Sequence, residues 1–89
     1  MNVCRLGDVC TGHHGSGAPS ITGASSVFIN GFPVNKVYDH WREHEHTDPV
    51  LLTGSTTVFV ETLNMGRVGD LLSCGATVAT GSDNVFCGG

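Results

Sequence analysis

A repeat constrains this chain more than any other feature. Arg5-Leu6-Gly7-Asp8, Lys36-Val37-Tyr38-Asp39 and Arg67-Val68-Gly69-Asp70 recur at a spacing of 31 residues. A second signal interleaves with the first: Ser26-Val27-Phe28, Thr57-Val58-Phe59 and Asn84-Val85-Phe86. Each of these follows a glycine-containing turn, at Gly23-Ala24-Ser25, Gly54-Ser55-Thr56 and Gly81-Ser82-Asp83. Repetition of this kind means copies of one supersecondary unit that bury their apolar faces against each other. The first unit opens in mid-repeat and the last ends in mid-repeat, so the termini together complete one of three units.

Within a unit, residues 26–39 read as a hairpin. Strands at 27–30 and 33–37 are rich in β-formers and flank Asn30-Gly31, a strong signal for a two-residue turn. The second unit keeps strands at 57–60 and 65–68, with 61–64 as the connection. The third pairs Val85-Phe86 with residues 3–6. No segment shows a sustained helical period with caps, and the one helix-like stretch, 39–46, is short and crowded with histidine. The expected class is all-β, one domain over 1–89. Tyr38 stands where the repeat expects glycine, which puts that turn's geometry in question, and Glu61-Thr62-Leu63 departs from the hairpin turn of the first unit.

Between the hairpins lie three connections, 9–23, 40–54 and 71–81, which the repeat places at one end of the structure. They hold Cys10, His13 and His14 in the first, His40, His44 and His46 in the second, and Cys74 in the third. Four such ligands make a closed tetrahedral zinc site, whose binding energy is folding energy. A domain of this size buries too little surface to be robust without such help. Imidazole suits zinc and iron alike, so Zn is expected with Fe as the alternative.

Only 13% of the residues are charged, against roughly 25% in an ordinary soluble domain. This points either to a surface that faces another protein or simply to a weakly charged β-domain. The formal charge is −4 and the four basic residues (Arg5, Lys36, Arg42, Arg67) are dispersed, which speaks against nucleic acid as a partner. No secretory signal is visible after Met1, and no run reaches the ~18–20 apolar residues of a membrane span. In a reducing cytoplasm the cysteines are expected as metal ligands or buried thiols. Cys4 and Cys87, which would face one another across the closing hairpin, are read as two thiols rather than a disulfide.

The order of these motifs resembles PAAR-repeat proteins, which cap the central spike of phage tails and type VI secretion systems. The resemblance rests on Arg5-Leu6-Gly7-Asp8, Cys10-Thr11-Gly12-His13, Val27-Phe28-Ile29-Asn30-Gly31 and Trp41 followed by His44. It continues through Arg67-Val68-Gly69-Asp70, Ser73-Cys74-Gly75 and Asn84-Val85-Phe86-Cys87-Gly88-Gly89. It implies a small cone of three pseudo-three-fold β-hairpin repeats, its base on a trimeric β-helical spike protein and its loops converging on a metal at the apex. It implies His13, His44, His46 and Cys74 as the ligands, with His14, His40 or Cys10 able to replace a neighbour. It further implies one chain per spike trimer, a monomer when free, and synthesis in a bacterial cytoplasm before assembly into a virion tail tip or secreted spike. The target would be a cell envelope.

Other readings compete at particular residues. Arg5, Asp8, Arg67 and Asp70 could be catalytic, but their repetition reads as structural turns. Trp41 could anchor a bound protein or lipid, or cover the metal site from one side. His40-Trp41-Arg42-Glu43-His44 fits the H-x-x-E-H pattern of a class of zinc peptidases, which needs both histidines on one helical face and an open metal position for water. The segment lacks a capped helix, so the pattern is read as accidental. A zinc-dependent binding module is the remaining alternative, and the expected role is mechanical rather than enzymatic.

Overall fold

The computed structural model describes residues 1–11, 17–42 and 49–87. Two antiparallel hairpins stand out. In the first, β1 (Phe28–Ile29) pairs with β2 (Phe32–Pro33); in the second, β3 (Phe59–Val60) pairs with β4 (Leu63–Asn64). Both close through two residues of positive φ, Asn30 at 55° with Gly31 at 81°, and Glu61 at 50° with Thr62 at 74°. A turn with φ > 0 at both central residues matches the right-handed twist of the strands it joins. The second connection is therefore Glu61-Thr62 alone, shorter than the 61–64 read from sequence. Leu63 and Asn64 already belong to the returning strand.

The third hairpin is built from the two ends of the chain. Asn2 bridges Phe86, the amide of Val3 donates to Val85 O at 3.1 Å, and that of Cys87 donates to Met1 O at 2.7 Å. The partner of Val85-Phe86 is thus residues 1–3 rather than 3–6. Residues beyond Val3 are drawn away because the returning strand of each hairpin leaves its partner and crosses to the neighbouring repeats. Val3 bridges Arg67, Arg5 bridges Val34, and Lys36 bridges Met65.

These crossings close a ring. The amide of Asn35 donates to Cys4 O at 2.9 Å, that of Gly66 to Asn35 O at 2.8 Å, and that of Cys4 to Gly66 O at 3.0 Å. Residues 4, 35 and 66 are spaced by the repeat, so the three bonds link equivalent positions of the three units in a closed cycle. Two side chains meet there, with the Cys4 thiol donating to Asn35 Oδ1 at 3.0 Å. A third does not fit. A Cβ on Gly66 would lie 2.7 Å from Leu51 Cδ2 and 3.2 Å from Asn35 O, which accounts for glycine at this member of the triad.

The repeated charged tetrapeptides form three equivalent turns. The amides of Arg5, Lys36 and Arg67 donate to the carboxylates of Asp8, Asp39 and Asp70 at 2.8, 2.8 and 2.7 Å. Side-chain ion pairs reinforce each of the three turns. Each carboxylate also accepts from a threonine of the preceding connection, counted around the three repeats: Thr80 to Asp8, Thr22 to Asp39 and Thr53 to Asp70, at 2.8–2.9 Å. These are structural roles, as the repetition indicated. Tyr38 does not distort its turn. It adopts φ 78°, beside 91° at Gly7 and 95° at Gly69, so the hydrogen bonds are kept and the strain is taken up in its own backbone.

Two apolar clusters result. Val3, Ala24, Val34, Val60 and Cys87 pack beneath the hairpins with Val27, Ile29, Met65 and Val85. Cys4, Cys10, Ala18, Trp41, Leu51, Leu72, Ala76 and Val78 form the second, on the side of the long connections, with Val68 and Cys74 against it. The described residues contain no helix, and the chain is all-β as expected.

Candidate metal centre

The stems of the three connections pair in a closed cycle. Cys10 bridges Val78, Ser20 bridges Trp41, and Leu51 bridges Leu72, so each connection is joined to both others. Within each connection the two legs also meet, through Val9 and Pro19, His40 and Val50, and Leu71 and Thr77. The expected convergence of these segments is thus visible in their stems.

The turn that carries Cys74 holds the other two connections at their mouths. Thr11, where the first departs, donates its amide to Thr77 O at 2.7 Å and accepts from the Thr77 amide at 2.9 Å. Val50, where the second returns, donates to Ser73 Oγ at 3.0 Å, and its carbonyl accepts from the Ser73 amide at 2.8 Å. The amide of Arg42 joins the first two connections through Pro19 O at 2.9 Å. Cys74 itself is half-buried against the loop-side cluster, in a turn closed by Gly75 N–H to Leu72 O at 3.0 Å.

Of the four expected ligands, Cys74 is placed. His13, His44 and His46 lie outside the described residues, as does His14. Among the described residues no three metal-donor side chains come together. The two alternatives that lie within the described residues are placed as follows. His40 is exposed in its bridge to Val50, and Cys10 is buried with its sulfur accepting from the Ala18 amide at 3.5 Å. None of the four cysteines is in a disulfide. Cys4 and Cys87 fall in different clusters rather than facing one another. Burial, with Asp8 and Asp70 nearby, pushes the Cys4 pKa well above the ordinary thiol range and keeps it protonated.

His40 and Trp41 both sit in β-bridges. The start of His40-Trp41-Arg42-Glu43-His44 is therefore strand-like, with His40 exposed and Trp41 fully buried, and lacks the helical face the peptidase pattern needs. Burial of Trp41 also rules out its ring as an external anchor. The indole Nε1–H has no hydrogen-bond partner among the described residues. A buried donor without a partner costs roughly 1–3 kcal/mol. Sequence reasoning singled out Trp41 without finding this. The signal available was its place in the repeat, since Cys10 and Leu72 occupy the equivalent buried positions and neither needs a partner of this kind.

The Cys74 sulfur and the two histidine-bearing connections tied to its turn are of the donor types that suit a metal. No curated protein matches the chain. The family model of the PAAR motif, a motif known from the spike tips of injection machines and structural rather than enzymatic, matches residues 6–80 of the 89. With that match over most of its length, the chain belongs to the PAAR motif family.

Proposed function

We propose that this protein is the metal-stabilised pointed tip of an injection machine, capping the trimeric β-helical central spike of a contractile phage tail or related apparatus and aiding membrane piercing. The observation that carries the reading is the closed triad of hydrogen bonds at Cys4, Asn35 and Gly66, which gives one chain the symmetry of a trimer. A three-fold β-helix ends in three equivalent strand ends, and a single chain with internal three-fold repetition can meet all three and still taper to a point.

The hairpins supply a surface of matching symmetry. Phe28, Phe59 and Phe86 occupy equivalent positions and are exposed to 56%, 57% and 64%, and the flanking Phe32 and Met1 are also exposed. Large aromatic groups left in water at related positions mark a contact surface rather than scattered apolar residues. At the opposite end, His13, His44, His46 and Cys74 would hold Zn, with Fe as the alternative, and bind the connections into one rigid unit. The part played by these residues is mechanical, since a rigid point concentrates contraction force on a small area of envelope.

The test is elemental analysis of the purified protein together with co-purification against a trimeric β-helical spike. The expected result is about one metal per chain, its loss in Cys74→Ala and His13→Ala, and one chain per trimer. A well-folded protein without metal would overturn the site. Failure to bind such a spike, with metal content intact, would overturn the role.

A further inference from the structure

Tyr38 stands strained on the flank of the molecule with little return in packing. It holds φ 78° where glycine serves at the equivalent positions Gly7 and Gly69, and its ring is left exposed. A backbone outlier that the packing does not repay points to a function. Exposed apolar side chains lie beside it. Ile21, Leu52 and Ala79 occupy equivalent positions of the repeat and are all exposed, as is Leu71. Backbone hydrogen bonds set these segments side by side around the molecule. The amide of Ile21 donates to His40 O, that of Tyr38 to Leu51 O, that of Leu52 to Leu71 O and that of Ala79 to Val9 O, each at 2.8 Å.

The belt so formed lies between the hairpins and the connections, and its charges are neutralised in place. The basic and acidic groups of the three turns pair with one another, and the hydroxyls of Thr22, Thr53 and Thr80 donate to the same carboxylates. Among the described residues the exposed charged side chains lie beyond it, Glu61 and Asp83 on the hairpin side and Arg42 on the connection side. A band without charge between two charged ends matches the hydrocarbon of a bilayer between its headgroups. Tyrosine, apolar in its ring and polar at its tip, is favoured at that boundary. A protein partner fits less well. A stable contact takes roughly 800 Å² from each partner, nearly a fifth of the 4492 Å² of this chain. Such a contact lies on one side, whereas these apolar groups are spread around the perimeter.

We infer that Ile21, Tyr38, Leu52 and Leu71 form a lipid-contacting belt, the surface that meets acyl chains as the tip enters an envelope. This rests on the tip reading above. A flank without exposed charge enters hydrocarbon without stripping water from ions. The exposed ring of Tyr38 then has a purpose, and the formal charge of −4 favours zwitterionic over anionic lipid.

The chain holds one tyrosine, so fluorotyrosine incorporated in its place gives a single fluorine NMR resonance, at Tyr38. The probe is phosphatidylcholine vesicles with and without a nitroxide label on the acyl chain. The expected result is much stronger broadening of that resonance by the labelled vesicles. Ile21→Ser combined with Leu52→Ser should keep the denaturation midpoint and weaken partitioning into vesicles about ten-fold. Phe28→Ser combined with Phe59→Ser, on the hairpin face, should leave the nitroxide broadening unchanged. If a variant does not fold, the wild-type measurement still decides. A resonance that the label does not broaden overturns the inference, as does binding that requires phosphatidylglycerol. Broadening that grows with protein concentration in the absence of lipid assigns the belt to a second copy of the chain and overturns it too. A chain that caps a spike without lipid contact overturns this inference alone. One that contacts lipid but binds no spike overturns the tip role and leaves the contact standing.

Discussion

At the residue scale, single groups do work that their exposure alone would not suggest. Glu61, at the tip of the second hairpin, accepts through one oxygen from the amides and hydroxyls of both Ser25 and Ser26, at 2.6–3.1 Å. The hydroxyl of Ser26 contributes most to holding its pKa below the ordinary carboxylate value. A depressed folded pKa means the stabilisation is present above the unfolded value, about 4.3, and is lost as pH falls through the folded one. The amide resonances of Ser25 and Ser26 should therefore titrate together below pH ~4.3, and Glu61→Gln should abolish that titration. Cys4 has the opposite sign. Its thiol stays protonated in the fold while the unfolded chain ionises near pH ~8.5, so stability should fall above that pH by up to about 1.4 kcal/mol per unit. Denaturant titrations of wild type and Cys4→Ala from pH 7 to 10 would check it: the variant should be flatter.

At the scale of elements, the three charged turns are alike in hydrogen bonding and unlike in strain. Gly7 and Gly69 adopt positive φ at little cost, whereas Tyr38 does so with a side chain that is 63% exposed and adds little packing in return. Tyr38→Gly should stabilise the protein by roughly 0.5–1 kcal/mol, the left-handed penalty relieved less the added chain entropy of glycine. A chemical denaturation midpoint that does not rise would show that Tyr38 contributes packing its exposure hides. The two-residue turns illustrate how far sequence can mislead about an element. Asn30-Gly31 is recognisable by residue type, whereas Glu61-Thr62 carries no such signature and adopts the same positive φ values. The surrounding pairing and the grip of Glu61 on Ser25 and Ser26 impose them.

For the whole molecule, the two clusters predict two levels of stability. The hairpin-side cluster is an apolar core of ordinary kind. The loop-side cluster lies against the Cys74 turn and, if the proposed metal is held there, gains stability from it. Removal of zinc by a strong chelator should lower the melting temperature by more than ~10 °C, since a ligand at a thousand times its Kd contributes ~4 kcal/mol to a domain this small. Amide exchange should rise at Cys10, Trp41 and Leu72 before it rises at Val34 and Val60. Equal loss of protection at both ends would show that metal and fold are not coupled in this way.

The sequence by itself determined the period of the repeat, the three charged turns and the all-β class, because each rests on short-range chemistry: a spacing, a turn-forming residue, a β-rich run. It also determined which connections hold the histidines and Cys74. Only the tertiary structure decided how the units close. The crossing of each returning strand to its neighbours, the pairing of residues 1–3 with Val85-Phe86 and the ring at Cys4, Asn35 and Gly66 depend on contacts between residues far apart in the chain. No local pattern encodes those contacts. The same holds for Trp41, since an orphaned donor is a property of its surroundings, and surroundings exist only once the chain has folded.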